Sequence, residues 1–123
     1  MEEEFVCRDG RVVSILIDED AYEAVATDQG GERIGALAFS LMEDPSGYSL
    51  KLVHAFLDGM GGSYRRQGIG REMLRRMIEM TGMAIFAAEN DGQVQEDGSH
   101  LTGDAPAFVA KMRREGLIVA HDI

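Results

Sequence analysis

The sequence is poor in cysteine, in basic residues and in long apolar segments, and each deficit excludes a class of protein. Cys7 is the single cysteine in 123 residues, so no disulfide can form within the chain. The 12 Lys and Arg residues face 22 Asp and Glu, and the net charge of −10 argues against nucleic acid, which needs a basic face. No apolar run could span a bilayer and no signal peptide is evident. We therefore expect a cytoplasmic protein with no membrane or nucleic-acid partner.

The sequence also contains no internal repeat, no low-complexity tract and no set of residues with metal-ligand spacing. Hydrophobic residues make up 45% of the chain, which predicts a folded rather than a disordered protein. A length of 123 residues fits one domain with a single core, which we assign to residues 1–123.

The first part of the chain has the patterns of antiparallel strands. Residues 11–17 are apolar and β-branched, and Asp9-Gly10 before them predicts a hairpin with residues 5–7. Residues 22–27 and 34–41 predict a second hairpin.

A longer strand is expected over residues 48–57, after a turn at residues 44–47. Because successive side chains of a strand point to opposite faces, alternate residues should share a face. One face is expected to carry Tyr48, Leu50, Leu52, His54 and Phe56, and the other Lys51, Val53, Ala55 and Leu57.

In the second half the apolar residues recur every three to four positions. Residues 69–80 predict an amphipathic helix that Gly82 ends, and the apolar run 83–88 is typical of a strand buried on both faces. A loop at 90–103 follows.

A second helix should begin at Asp104 as its N-cap and end at Gly116, before a last strand at 117–119. Its inner face is expected to carry Phe108, Val109 and Met112. The predicted fold is α/β, with a mixed, mainly antiparallel sheet flanked by helices.

The segment Tyr64-Arg65-Arg66-Gln67-Gly68-Ile69-Gly70-Arg71 lies between the long strand and the first helix. Glycine lets the backbone approach a ligand, and the first N–H groups of a helix point outward without an internal partner. The helix dipole and the three arginines add positive charge. The segment predicts a phosphate-binding turn, and an arginine-rich turn that caps a surface helix is the alternative.

Two common phosphate-binding motifs do not fit this segment. A P-loop needs Lys and Ser/Thr after its second glycine, and neither follows Gly70. A dinucleotide-binding fingerprint needs a third glycine where Met73 stands.

The segment resembles motif A of the GNAT N-acetyltransferase superfamily, Arg/Gln-x-x-Gly-x-Gly/Ala, here Arg65-x-x-Gly68-x-Gly70. The order of the elements over residues 20–119 is similar to that family too. The resemblance implies that the pyrophosphate of acetyl-CoA is bound by residues of the segment, namely Arg65, Arg66, Gln67, Gly68, Ile69, Gly70 and Arg71.

The resemblance also implies contacts for the acetyl-pantetheine arm. In the family the strand before the phosphate loop splays apart at a bulge near its end, and its backbone meets the arm. That segment is Asp58-Gly59-Met60 here, and Asn90 would contact the same arm. A glycine-rich loop and a turn at Asn90 are the alternatives without a ligand.

The chain departs from the family pattern in two ways. The two helices that usually follow the first strand, and that help to form the acceptor site, have no counterpart in the short connection 18–21. Many family members have a tyrosine on the last helix that acts as general acid. Here that position holds Val109 if the pattern is aligned on Phe108, and Met112 if it is counted back from Gly116. Ser99 or His100 could serve instead, or the thiolate could leave unaided.

His54 is the first candidate for the general base, because an imidazole can accept a proton at neutral pH and a glutamate base occurs near this place in some family members. Asp58 is the second candidate, and a core position is the alternative for His54.

The resulting hypothesis is an acetyl-CoA-dependent N-acetyltransferase, in which the amine of a small molecule or a protein attacks the thioester directly. A longer acyl-CoA as donor and a non-catalytic acyl-CoA-binding or interaction module are the alternatives. For the acceptor site, the acidic loop 90–103 and the interface of a homodimer both stay open.

Overall fold

The computed structural model describes residues 2–45, 47–56, 68–87 and 105–119. The elements there are β1 (Glu2–Val6), β2 (Val12–Asp18), β3 (Glu23–Thr27), β4 (Arg33–Asp44), β5 (Gly47–Phe56), α1 (Ile69–Thr81), β6 (Ile85–Ala87) and α2 (Ala105–Glu115). The strands form one sheet in the order of the chain, antiparallel from β1 to β5, with β6 parallel to β5. The predicted α/β class with a mixed, mainly antiparallel sheet is confirmed. Neither of the helices in the described ranges could cross a membrane.

Both predicted hairpins are present, as β1–β2 and β3–β4. The connection between β2 and β3 is a tight turn in which the Asp18 carboxylate accepts hydrogen bonds from the N–H groups of Asp20 and Ala21, both at 3.0 Å. The continuously described residues 2–45 therefore contain no helix, as the sequence predicted.

The core lies between one face of the sheet and the helices. Rows of paired residues build this face, for example Ile17 beside Ala24, Ala24 beside Leu37, and Leu37 beside Ala55. Gly35 continues the face because a β-carbon there would lie 3.7 Å from Met73 Cε of α1 and 3.4 Å from a backbone oxygen. The helix packs closely on β4 where the side chain is missing.

The two helices share this face of the sheet. Met73, Leu74 and Met77 of α1 and Val109 and Met112 of α2 belong to one buried cluster with the strand residues. The predicted ends are correct, because Gly82 and Gly116 both adopt the left-handed conformation after a helix, with φ of 69° and 83°.

A bulge in β5 reverses the predicted assignment of its faces. Ala38 of β4 pairs with His54, whereas the next residue, Phe39, pairs with Leu52, so Val53 is an extra residue. Beyond this point Ala55 packs on the core and Phe56 is 43% exposed. The expectation that His54 and Phe56 share the face of Leu52 is therefore wrong.

Two further expectations about the second half are corrected. β6 is not buried on both faces, because the helices cover one face and Phe86 is 37% exposed on the other. Residues 117–119 do not form a strand. The N–H groups of Leu117 and Ile118 donate to the carbonyl of Met112 at the end of α2, and the N–H of Val119 donates to β6, to the carbonyl of Ile85 at 2.8 Å.

Candidate functional site

The parallel strands β5 and β6 end at the same edge of the sheet, which we call the carboxyl edge. The β1–β2 turn lies at this edge too, because β1 runs in the same direction as β5. α1 begins here after β5, and α2 ends here, where Arg113 Nη2 donates to the carbonyl of Ala87 at 3.0 Å. Residues far apart in sequence thus meet at the edge where the sequence predicted a site.

The N-terminus of α1 has the conformation expected of an anion-binding turn. Gly68 is the N-cap, with φ of 85°, and has no side chain that could accept a hydrogen bond. The first bond of the helix runs from the N–H of Glu72 to the carbonyl of Gly68 at 3.0 Å. The Glu72 carboxylate, which could have covered the helix end, accepts instead from Arg75 and Arg76. Within the described residues no side chain caps the N–H groups of the first turn.

Arg8 lies beside this helix end and is the residue that the sequence interpretation missed. A β-carbon added to Gly68 would lie 4.0 Å from Arg8 Nε and 3.6 Å from the ring of Phe5. The side chain comes from the β1–β2 turn, far from the motif in sequence. The number of strands could have identified it, since four successive antiparallel connections place the ends of β1 and β5 at one edge.

Arg71 is engaged in an ion pair with α2. Its Nε and Nη2 donate to the two carboxylate oxygens of Glu115 at 2.6 and 2.7 Å. The hydrogen bonds from Arg71 hold the pKa of Glu115 below its ordinary value, and the nearby charges of Lys111 and Arg8 act in the same direction. The same bonds raise the pKa of Arg71. In this structure, Arg71 therefore contributes charge to the edge but is not a free phosphate ligand.

The two ends of the sheet differ in charge within a chain whose net charge is −10. The end opposite the carboxyl edge is acidic, with Asp18, Glu19, Asp20, Glu23 and Glu43 in or beside its turns. The carboxyl edge carries both signs: the arginines Arg8, Arg11, Arg33, Arg71 and Arg113, and the acids Asp9, Asp28, Glu32 and Glu115. Of the two ends of the sheet, the carboxyl edge is therefore the less acidic, and an anion would be repelled less there than at the opposite end.

Four of the predicted cofactor-binding residues come together at the start of α1: Gly68, Ile69, Gly70 and Arg71. The side chain of Ile69 is 6% exposed and belongs to the core, so only its backbone is available to a ligand. The remaining predicted positions lie outside the described residues, namely Asp58, Met60, Arg65, Arg66, Gln67, Asn90, Ser99 and His100, together with loop 90–103 and the predicted cap Asp104.

His54 is exposed and lies on the face of the sheet away from the helices, one residue after the bulge at Val53. Residues 50–52 of β5 pair with β6, and the bulge at Val53 follows immediately. Met112, at one of the two positions compared with the family's tyrosine, is 2% exposed and packs in the core.

No protein-family model matches the chain, and no curated protein and no solved structure shows significant similarity to it. Among the described residues, no group of three or more His, Cys, Asp or Glu is placed to hold a metal ion. A function must therefore be inferred from the carboxyl edge and the motif before α1.

Proposed function

We propose that the protein is a GNAT-like N-acetyltransferase that binds acetyl-CoA at the carboxyl edge and transfers the acetyl group to an amine. One observation carries the proposal: the N-terminus of α1 begins at Gly68 without a side-chain cap, at the end of a parallel strand pair, with Arg8 beside it. Backbone N–H groups, a helix dipole and a guanidinium together suit a pyrophosphate.

The bulge in β5 is compatible with the same proposal. Its extra residue, Val53, follows the three residues that pair with β6, so the strand changes geometry where a ligand arm could enter beside it. The bulge that the resemblance to the family implies, at Asp58-Gly59-Met60, lies outside the described residues and remains a separate prediction.

In the proposed reaction the amine nitrogen attacks the thioester carbonyl carbon, the carbon–sulfur bond breaks, and CoA leaves as a thiolate. The proton lost by the amine passes to a base, for which His54 is the first candidate and Asp58 the second. Because a thiol has an ordinary pKa of ~8.5, the thiolate can leave without a general acid.

The alternative is a non-catalytic acyl-CoA-binding module. Two observations favour it: buried Met112 offers no hydroxyl to the leaving group, and the tight turn after Asp18 leaves no helix in residues 2–45 to form an acceptor site.

Calorimetric titration of CoA into Gly68→Asp and Gly68→Asn tests the cofactor site. Both residues tolerate the left-handed conformation of Gly68 better than other side chains do, and both can cap a helix. Only Asp adds a negative charge where the pyrophosphate would bind. We expect Gly68→Asp to lose at least ~10-fold more affinity than Gly68→Asn. Equal affinities for the wild type and both variants would contradict the proposal.

Release of free CoA thiol from acetyl-CoA in the presence of an amine panel distinguishes the enzyme from the module. Cys7 should not disturb this assay, because it is 3% exposed and burial raises the pKa of its thiol. Amine-dependent release identifies an enzyme. CoA binding without release, across small-molecule and peptide amines, identifies a binding module.

A further inference from the structure

β1 is an edge strand with little packing of its own. Among the described strands it pairs with β2 alone. Phe5 is the one side chain of β1 that is not exposed, and it packs against the core. An open cavity of about 100 Å³ lies between the strand and the second half of α1, with Glu3 on one side and Glu79 and Met80 on the other. The apolar contact of β1 with the core is therefore centred on Phe5.

Arg76 of α1 binds the backbone of this strand. Its Nη1 and Nη2 donate to the carbonyls of Glu3 and Glu4 at 3.3 and 3.1 Å. Its Nε donates to the Glu72 carboxylate at 2.8 Å, which orients the guanidinium from within the helix. The guanidinium carbon lies over the Phe5 ring, 6.0 Å from its centre. Arg76 thus joins α1 to both the backbone and the one packed side chain of β1.

The same strand leads directly to Arg8 at the carboxyl edge. A β-carbon added to Gly68, the N-cap of α1, would lie 3.6 Å from the tip of the Phe5 ring and 4.0 Å from Arg8 Nε. The turn that carries Arg8 is closed by the N–H of Cys7, which donates to the carbonyl of Arg11 at 2.7 Å. Because this turn continues β1, the location of Arg8 depends on how β1 is held.

We propose that Arg76 is a positioning residue, which holds β1 against α1 and thereby keeps Arg8 at the helix end where an anion binds. Arg76 itself lies about two turns along α1 from Gly68, and Glu72 and the β1 carbonyls engage its guanidinium. Arg8 is the group that meets the phosphate. The inference rests on the anion site of the proposed function, but not on acetyl transfer.

A double-mutant cycle between Arg76 and Arg8 tests the proposal, with the affinities for CoA and for inorganic pyrophosphate measured by calorimetry. Arg8→Gln should weaken binding at least ~10-fold, because it removes a charge-assisted hydrogen bond. Arg76→Gln should weaken binding several-fold, since β1 then holds Arg8 in place in only part of the molecules. When Arg8→Gln is already present, Arg76→Gln should have no further effect on affinity.

Arg75→Gln is the matched control. Arg75 is the neighbouring residue of α1, and its bonds within the described residues go to Glu72 and Glu79 rather than to β1. The control loses the same charge and also leaves Glu72 with one arginine, so it covers any movement of that carboxylate. Its affinity for both probes should fall less than that of Arg76→Gln. Arg76→Lys keeps the charge but cannot reach Glu72 and both carbonyls with one ammonium group, so it should weaken binding too.

Native-state hydrogen exchange measures the attachment of β1 without a ligand and covers a variant that is less stable overall. Arg76→Gln should speed the exchange of the β1 amides that bond to β2 relative to the amides of β3, because β1 then opens locally more often. A general loss of stability would speed both sets. Arg75→Gln should leave the relative exchange of the two strands unchanged.

Equal relative exchange of β1 in Arg76→Gln and Arg75→Gln overturns the proposal, and so do independent, additive losses of affinity for Arg76→Gln and Arg8→Gln. A wild type that binds pyrophosphate but not CoA would contradict the proposed acetyltransferase, and the cycle measured with pyrophosphate would still decide the role of Arg76. Binding of neither probe would overturn both the cofactor site and the positioning of Arg8 for an anion.

Discussion

Arg71 and Glu115 form a two-point ion pair that joins the first turn of α1 to the last residue of α2, with bonds of 2.6 and 2.7 Å. The pair places a carboxylate next to the helix end where we propose that a pyrophosphate binds. Phosphate must therefore compete with Glu115 for the charge of Arg71, or bind beside the intact pair using backbone N–H groups and Arg8.

Replacing Glu115 with Gln should raise the affinity for CoA several-fold, because the substitution removes a negative charge from the site and releases Arg71. Glu79→Gln is the control, since it makes the same change of charge in an ion pair with Arg75 farther along α1. Calorimetry on both variants measures the difference. Weaker CoA binding by Glu115→Gln than by Glu79→Gln would mean that the Arg71–Glu115 ion pair is needed to hold the site in its binding conformation.

Glu72 should make stability depend on acid pH. Burial raises its pKa, but hydrogen bonds and charges from Arg75 and Arg76 outweigh burial and hold the pKa below the ordinary value of 4.5. A lowered folded-state pKa contributes stability above about pH 4.5 that is lost as pH falls through the folded-state value.

Glu72→Gln should therefore lower the free energy of unfolding by about 1 kcal/mol at pH 7 and by less at pH 3. Urea unfolding at several pH values measures this, with Glu79→Gln as the more exposed control. A constant difference between wild type and Glu72→Gln at all pH values would be inconsistent with the linkage.

His54→Ala should reduce acetyl transfer by roughly 10²-fold if His54 is the general base. Because the side chain is exposed in a strand, Tm and CoA affinity should change little. Ser40→Ala is the control, because Ser40 is also exposed on this face of the sheet and its replacement should leave the transfer rate unchanged. A folded His54→Ala variant with the wild-type rate would leave Asp58 as the candidate base.

Ser49→Ala should stabilise the protein by about 1 kcal/mol, because its buried hydroxyl finds no hydrogen-bond partner among the described residues. Thr81→Ala should have the opposite effect, since that hydroxyl donates to the carbonyl of Met77 and accepts from the N–H of Met83. Urea unfolding compares the two. A loss of stability in Ser49→Ala would reveal a partner for the hydroxyl.

Local patterns predicted most of the fold. Alternating apolar residues and turn dipeptides identified the hairpins, and Gly82 and Gly116 marked the helix ends through their left-handed conformations. The faces of β5 could not be predicted beyond Leu52, because neither glycine nor proline marks the bulge at Val53. One extra residue reverses every later side chain of a strand.

The site could be predicted only as far as one contiguous motif extends. Gly68 and Gly70 are read directly from the sequence, whereas Arg8 and Glu115 reach the same helix end through the tertiary fold. Contacts between segments that are far apart in sequence depend on the order of the strands and on how the helices pack. The local spacing of apolar residues encodes neither. The burial of one face only of β6 has the same origin, because it depends on where both helices pack.

The order of the strands in the sheet, which is also their order in the chain, bears on how the protein folds. Each strand from β1 to β5 pairs with its neighbour in sequence, so these contacts close short loops. The parallel β5–β6 pair can form only after the long connection that contains α1 has brought the two strands together, so we expect it to form later. We expect pulse-labelled hydrogen exchange during refolding to protect amides of β2 and β3 before those of β6. The carboxyl edge, and with it any ligand site, would thus form last.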